Sequence, residues 1–192
     1  MATITIFGTG NMGTAIGSVF AAGGHSVQHI DTDTADQAVS GEIVVLAVPY
    51  AALAGIAAAR ASEFGGKIVV NITNPVNFET FDGLTVAADG SAAAELGAAL
   101  PQSKVLKAFN TNFAATLATG KVGENTTTVL VAGDDADAKS DFATAVTAGG
   151  TVKVIDAGSL KRARELEALG FLQISLAATE KVSWTSGFAV IA

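Results

Sequence analysis

The first 31 residues contain the pattern that most constrains the fold. Segment 2–7 is a short apolar run suited to a buried parallel strand, and it leads directly into Gly8-Thr9-Gly10-Asn11-Met12-Gly13, a G-x-G-x-x-G sequence. Apolar residues then recur at helical spacing as far as Gly23-Gly24, and segment 26–30 predicts a second strand that ends at Asp31. This order of strand, glycine turn, helix, strand and acid is typical of a dinucleotide-binding βαβ unit.

Each part of the glycine turn has a physical role in such a unit. Gly8 permits the tight turn, Gly10 lets a pyrophosphate approach the backbone, and Gly13 lets the helix pack closely on the strand. The free N–H groups at the start of the helix attract phosphates. Asp31 lies about twenty residues further on, where a carboxylate bonds ribose hydroxyls. The pattern predicts dinucleotide binding, and the alternative is a purely structural glycine turn in an empty Rossmann-like domain.

Composition excludes several other classes of protein. Hydrophobic residues make up 49% of the chain and charged residues 15%, yet no apolar run is long enough to span a membrane. The absence of cysteine excludes disulfides and thiolate catalysis. The net charge of −7 argues against a nucleic-acid partner. Because no basic segment precedes the first strand, we expect no signal peptide and a cytoplasmic location.

Strands alternate with helices along the rest of the chain, which predicts an α/β, doubly wound, mostly parallel sheet in a single domain over 1–192. Only residues 32–41 separate the second strand from the third, which is too short for a strand and a helix. We therefore expect the usual outer third strand to be missing, with a helical turn near 35–39. The strand over 26–30 then becomes a sheet edge, which its polar residues suit.

The end of the chain predicts one long helix over 160–180, capped by Ser159, and an apolar tail over 184–192. Ligands of doubly wound sheets bind outside the carboxyl ends of the strands. Five such ends should converge on one cleft, namely Gly8–Met12, Asp31, Ala47–Tyr50, Asn71–Val76 and Ala108–Asn112.

Four segments resemble one known family, and they occur in that family's order. They are Ile6-Phe7-Gly8-Thr9-Gly10-Asn11-Met12-Gly13, Val44-Val45-Leu46-Ala47-Val48-Pro49, Val131-Ala132-Gly133-Asp134-Asp135 and Ile155-Asp156-Ala157-Gly158-Ser159-Leu160. The chain resembles, over nearly its whole length, the NADP oxidoreductases that depend on the deazaflavin coenzyme F-420. The resemblance implies hydride transfer between a nicotinamide and a flavin-like cofactor without an essential acid or base, because both reactants are cofactors. We accordingly assign no catalytic residue. The resemblance also implies a homodimer, and we expect the last helix and the tail to form its buried surface.

By the same resemblance, Thr9–Met12 hold the pyrophosphate, Val48 and Pro49 lie along the nicotinamide, and Thr73–Val76 with Ala108–Asn110 complete the cleft. With the residues of the glycine turn and Asp31, the cofactor-binding candidates are Gly8, Thr9, Gly10, Asn11, Met12, Gly13, Asp31, Thr32, Ala47, Val48, Pro49, Tyr50, Thr73, Asn74, Pro75, Val76, Ala108, Phe109 and Asn110.

The choice of coenzyme departs from the family pattern. The family has a Ser-Arg pair after its second strand that holds the 2′-phosphate of NADP, whereas this chain has Asp31-Thr32 and no Arg or Lys before Arg60. An acid at this place suits NAD. We expect both NAD and NADP to bind, with NAD modestly favoured. The second substrate is expected to be a deazaflavin, a flavin or a small oxidised acceptor.

Two other functions stay open at this stage. The first is a non-catalytic NAD(P)-binding sensor or regulatory module. The second and weaker is a reductase of imines or hydroxy acids, a class that usually carries a further helical domain.

Several side chains have a plain structural explanation beside a functional one. We expect surface positions for His25 and His29. The run Lys161–Glu165 is expected to be a solvated helix face, with contact to a phosphate of the second substrate as the alternative. Tyr50 is either a cleft wall or a packing residue, and Trp184 is expected to close the core rather than to stack on a ligand ring. Turn or helix-start roles rather than metal binding are expected for Asp82, Asp89, Asp134 and Asp135.

Overall fold

A computed structural model of the protein describes residues 1–191 and shows alternating strands and helices. The strands are β1 (Thr3–Phe7), β2 (Ser26–Ile30), β3 (Ile43–Leu46), β4 (Ile68–Asn71), β5 (Lys104–Ala108), β6 (Lys121–Val122), β7 (Asn125–Thr126), β8 (Thr128–Gly133) and β9 (Lys153–Gly158). The α-helices are α1 (Asn11–Ala22), α2 (Leu53–Phe64), α3 (Ala92–Ala99), α4 (Ala114–Thr119), α5 (Ala136–Thr147) and α6 (Ala163–Ala178). Short 3-10 turns at Tyr50–Ala52 and Leu160–Arg162 lead into α2 and α6.

Seven strands form one sheet in the order β2-β1-β3-β4-β5-β8-β9, and β6 pairs with β7 separately. Neighbours from β2 to β5 are parallel, β8 runs antiparallel to β5, and β9 is parallel to β8. The predicted α/β, mostly parallel sheet is confirmed, and the sheet is mixed because of β8. Within residues 1–191, β2 is the edge strand of this order.

The segment between β2 and β3 holds a turn over 33–36, so the helical turn predicted near 35–39 is wrong. The reason is local hydrogen bonding. Asp31 Oδ1 accepts from the backbone N–H groups of Asp33 and Thr34, which closes an Asx turn in place of a helical one.

The direction of strand addition reverses at β1, which is the switch point of the sheet. β1 pairs with β2 on one side and with β3 on the other. The Gly8 N–H donates to the Ile30 carbonyl (2.8 Å), and the Ala47 N–H donates to the Phe7 carbonyl (2.9 Å). A crevice therefore opens at the carboxyl ends of β1 and β3, where such sheets bind ligands.

The core consists of two apolar layers, one on each face of the sheet. Successive strand residues point to opposite faces, so Ile6 and Val45 pack with α1 and α5, whereas Phe7 and Leu46 pack with α2 and α3. Phe20 and Phe64 are fully buried, one in each layer. This two-sided burial explains why most residues of the central strands are apolar.

The end of the chain differs from its sequence prediction. The α-helix spans Ala163–Ala178 rather than 160–180, because a 3-10 turn precedes it, and the Ser159 side chain makes no capping hydrogen bond. Core closure by Trp184 is wrong: its side chain is 54% exposed and rests on Phe113 with ring centroids 5.1 Å apart. The segment after α6 lies on the surface, so Trp184 covers the edge of α4 rather than the interior.

Apolar side chains are exposed on α6 and on the tail, namely Leu172, Trp184, Phe188, Val190 and Ile191. This is the surface expected to be buried in a homodimer, and self-association stays a prediction that light scattering would decide. No helix within residues 1–191 combines the length and the apolar character needed to cross a membrane.

Candidate functional site

The three glycines of the turn have different surroundings that explain the motif. Gly8 has φ +109°, and a Cβ at Gly8 would lie 2.3 Å from the Ala47 carbonyl oxygen. A Cβ at Gly13 would lie 2.3 Å from the Gly8 carbonyl oxygen, so the close packing predicted for Gly13 is confirmed. A Cβ at Gly10 would meet no atom within 4 Å. Gly8 and Gly13 therefore hold the turn against β3 and α1, while Gly10 faces open space.

The N-terminus of α1 is prepared for an anionic group. Gly10 is the residue before the helix, its backbone is extended, and no side chain caps the first turn. No acidic residue lies in that first turn. The initial N–H groups of this 12-residue helix are consequently uncapped and carry the positive end of its dipole. A pyrophosphate that approached over Gly10 would be bound by these groups.

A cavity of about 500 Å³ lies beside the turn. Its lining is mostly apolar and comprises Phe7, Gly8, Thr9, Ile30, Asp31, Thr32, Ala35, Val48, Pro49, Ala52, Gly55, Ile56, Ala59 and Arg60. The structure thus brings together Gly8 and Thr9 of the turn, the acid after β2 and the Val48-Pro49 pair after β3. One carboxylate and one guanidinium are the charged groups of the lining.

Arg60 is the charged residue of the cavity lining that was not among the predicted candidates. A signal was present, since Ile56, Ala59 and Arg60 follow helical spacing and share one face of α2. No Arg or Lys precedes Arg60 in the sequence, but folding places Arg60 itself in the same cavity as Asp31.

Asp31 is held in a fixed orientation by its own loop. Its Oδ1 accepts hydrogen bonds from Asp33 N (3.0 Å), Thr34 N (3.1 Å) and Thr34 Oγ1 (3.0 Å). The Thr34 hydroxyl is the main cause that holds the pKa of Asp31 below its ordinary value of 3.8. The carboxylate is therefore ionised at neutral pH, and Oδ2 takes part in none of these three bonds.

The candidates at and after the carboxyl ends of β4 and β5 are not part of the cavity lining. Asn74 Nδ2 donates to the Asn110 carbonyl (2.8 Å), and Asn110 Nδ2 donates back to Asn74 Oδ1 (2.8 Å). Thr73 and Asn110 are each only 5% exposed. Ala108, Pro75 and Val76 are buried as well. These residues form a fixed floor, with the half-buried Asn74 as its most accessible polar member.

Phe109 and Tyr50 point away from the cavity. The Phe109 side chain is fully buried between Phe20 and Phe142, so it packs in the core and does not face a ligand. The Tyr50 hydroxyl donates to Glu95 (2.6 Å), which raises the pKa of Tyr50 to about 12. Tyr50 lines a groove between α2 and α3, which favours the packing role.

Other candidates also have definite places. Asn11 and Met12 line a separate groove of about 660 Å³ with Phe113 and Trp184. His29 is half-buried with Nδ1 3.2 Å from the Gly8 carbonyl oxygen. Half-buried His25 accepts a hydrogen bond from Ala2 N (3.1 Å).

Arg162 and Arg164 are exposed and pair with Glu165, consistent with a solvated face. Within residues 1–191, no cluster of three or more His, Cys, Asp or Glu is placed to hold a metal ion.

A buried ion pair beneath the site was not foreseen. The Lys107 ammonium is fully buried, lies 2.8 Å from Glu167 Oε1, and donates to Asn71 Oδ1 (2.9 Å) and to the Thr73 carbonyl. Burial lowers the pKa of Lys107 to about 8, although the charge of Glu167 opposes this. The signal in the sequence was a second lysine, three residues after Lys104, among the apolar residues of a central strand.

Glu167 extends this network to a third element. Its Oε2 accepts from Ala92 N (2.9 Å), and its Oε1 accepts from Ala93 N (3.3 Å). Ala92 and Ala93 begin α3, so the carboxylate also caps a helix. The pair therefore joins β5, α6, α3 and the loop after β4, and it fixes the floor of the crevice from below.

The fold and the site define an NAD(P)-binding oxidoreductase of Rossmann type. A glycerol-3-phosphate dehydrogenase from Coxiella burnetii shares the fold with a TM-score of 0.62 and 15% identity, over 81% of this chain and 53% of that chain. A provisionally named F420-dependent NADP reductase from Arthrobacter sp. FB24 superposes with a TM-score of 0.84 and 27% identity, over 100% of both chains. No family profile matches the sequence.

The family follows from a curated relative. An F420-dependent NADP reductase from Methanocaldococcus jannaschii is 31% identical over 150 residues, which are 77% of this chain and 67% of that protein. The chain belongs to the F420-dependent NADP reductase family, and it is an enzyme of the oxidoreductase class.

The buried ion pair generates a stability prediction. Lys107→Met leaves the Glu167 carboxylate buried without a cation, and we expect a loss of about 3–5 kcal/mol in the free energy of unfolding. Lys107→Met combined with Glu167→Gln should recover part of this loss, because glutamine is neutral and keeps an oxygen for the Ala92 amide. Urea unfolding of each variant measures the difference.

Lys104→Met is the matched control, because Lys104 is on the same strand and pairs with Asp135 at 3.4 Å with a side chain that is 42% exposed. We expect its cost to stay below about 1 kcal/mol. Equal destabilisation by the two substitutions would contradict the role given to Lys107.

Proposed function

We propose that this chain transfers a hydride between a nicotinamide dinucleotide and a flavin-like partner, foremost a deazaflavin of the F420 kind. The name of the Methanocaldococcus jannaschii relative supports this choice. The observation that carries the proposal is the character of the crevice. Its wall after β3 is Val48-Pro49, and the ionisable pair below it, Lys107 and Glu167, is 0% exposed. An apolar wall without an ionisable side chain suits hydride transfer between two cofactors, which needs no proton donor from the protein.

The coenzyme is proposed to extend from the glycine turn in both directions. The pyrophosphate would lie on the N-terminus of α1 over Thr9–Met12. The nicotinamide would lie against Val48 and Pro49, above the floor formed by Thr73–Val76 and Ala108–Asn110. The adenosine would occupy the cavity that ends at Asp31 and Thr32. This arrangement uses the uncapped helix N-terminus, the apolar wall and the fixed acid together.

We also propose that the segment over 32–41 stands where a further strand and helix would otherwise lie. With β2 at the edge of the sheet, the adenosine end would then be open to water. A charge repulsion there is screened and is worth only about 1 kcal/mol. Both coenzymes are accordingly proposed to bind, with NADH modestly favoured.

The first test is stopped-flow oxidation of bound NADH or NADPH against a panel of deazaflavins, flavins and quinones. We expect single-turnover oxidation with at least one ring-type acceptor, and fastest with a deazaflavin. A protein that binds the coenzyme but reduces no acceptor of the panel would instead be a dinucleotide-binding module without catalysis.

A second test concerns the anchor of the pyrophosphate. Gly10→Val places a branched side chain in the open space over the turn, and we expect coenzyme binding to weaken by several kcal/mol, on the order of a thousandfold or more, in a folded protein. Isothermal titration calorimetry measures the affinity.

Gly83→Val is the control, because a Cβ at Gly83 also meets no atom within 4 Å and the residue lies in the irregular segment after β4. Unchanged affinity in folded Gly10→Val would exclude the turn as the anchor.

A third test concerns the ribose. The Asp31 carboxylate is ionised and fixed, so Asp31→Ala should weaken NADH and relieve the repulsion of the 2′-phosphate. We expect the ratio of NADPH to NADH affinity to rise about fivefold, which corresponds to a charge effect near 1 kcal/mol. Titration of both reduced coenzymes gives the ratio. No change in the ratio would show that this carboxylate does not contact the ribose.

A further inference from the structure

Two side chains of α2 anchor the segment between β2 and β3. Arg60 Nη1 donates to the Gln37 carbonyl (3.0 Å), and Arg60 Nη2 donates to the Ala35 carbonyl. Glu63 Oε2 accepts from Val39 N (2.9 Å). Within residues 1–191 the segment has no helix or strand of its own, so these bonds fix its position over the cavity.

The two anchoring side chains are also paired with each other. Arg60 Nη1 lies 2.5 Å from Glu63 Oε1, one helical turn further on. The Arg60 side chain is 13% exposed, and its guanidinium lies 5.8 Å from the centre of the Phe7 ring. The Arg60 guanidinium is the main cause that holds the pKa of Glu63 below its ordinary value. The carboxylate is therefore ionised at neutral pH and neutralises the arginine.

The pairing has a consequence for the adenosine end of the cavity. Arg60 and Asp31 both line it, but Arg60 is already bound to two carbonyls and one carboxylate. Asp31 is therefore the charged group of the cavity lining that stays available to bind a ligand. A ribose with free hydroxyls can bond this carboxylate, whereas a 2′-phosphate would meet it without an available cation.

We propose that Arg60 and Glu63 form a selectivity latch for the coenzyme. This inference rests on the proposed coenzyme site. While Glu63 neutralises Arg60, Asp31 determines the preference and NADH binds better than NADPH. When the charge of Glu63 is removed, the guanidinium keeps its bonds to the Ala35 and Gln37 carbonyls, but its positive charge is no longer compensated and attracts the 2′-phosphate. Glu63 is a positioning residue in this scheme, since it acts on the coenzyme through Arg60.

The variant that tests the latch is Glu63→Gln. Glutamine keeps an oxygen for the Val39 amide but removes the charge that neutralises Arg60. We expect the affinity for NADPH to rise about fivefold to tenfold while the affinity for NADH changes less than about twofold. The gain should shrink as salt concentration rises, which a merely structural effect would not produce. It should vanish in the double variant Arg60→Met/Glu63→Gln.

The matched control is Glu165→Gln. Glu165 pairs with Arg162 at the same spacing, at 3.5 Å on the exposed surface of α6, and the substitution changes net charge by the same amount. It should leave the affinity ratio of the coenzymes unchanged. Thermal melting checks that Glu63→Gln is folded, and Glu63→Ala, which favours the helix, is a second variant for the same titration.

The outcomes separate the two proposals. In one outcome wild type binds NADH, and the ratio of NADPH to NADH affinity changes no more in the folded Glu63 variants than in Glu165→Gln. The latch is then overturned and the proposed function stands. If the gain for NADPH persists without Arg60, the latch is likewise overturned. If wild type binds neither coenzyme, the proposed function fails and the latch with it.

Discussion

The close contact between the glycine turn and the two elements beside it is the constraint on which the site depends. A Cβ at Gly8 would lie 2.3 Å from the Ala47 carbonyl oxygen, and one at Gly13 would lie 2.3 Å from the Gly8 carbonyl oxygen. No side chain fits at either place, so the backbone of the turn lies directly on β3 and α1. This contact directs the start of α1 toward the crevice and leaves Gly10 facing open space. The Val48-Pro49 wall follows directly from the strand that the turn touches.

Beneath this crevice, a buried ion pair lies where apolar side chains would otherwise pack. Most residues of the central strands are apolar, yet Lys107 and Glu167 lie fully buried and 2.8 Å apart. The desolvation of such a pair is tolerated only when further hydrogen bonds satisfy both groups. Here Asn71 and the Thr73 carbonyl bind the ammonium, and the N-terminus of α3 binds the carboxylate. The pair contributes positional order to the loop after β4.

The proposed adenosine end of the cavity is ordered in a different way, because it lies at the edge of the sheet. A segment without regular structure forms one wall, and its order comes from side chains outside it. Asp31 closes the turn at its start, and the Arg60–Glu63 pair holds its middle. In the proposed coenzyme complex, the same three charged groups that order this loop lie near the ribose, and the proposed preference for NADH rests on them.

The sequence by itself determined the βαβ unit, the acid at its end and the alternation of strands and helices. Periodic apolar residues and glycines are local signals, and the local backbone obeys them, as the predicted strands over 26–30 and Lys104–Ala108 show. Only the tertiary structure decided that β8 runs antiparallel to β5, that Arg60 shares a cavity with Asp31, and that Lys107 meets Glu167. Spacing fixes which face of an element a side chain occupies, but not which distant element that face will meet. Contacts between distant elements depend on how whole helices pack on the sheet, and local sequence patterns do not specify that packing.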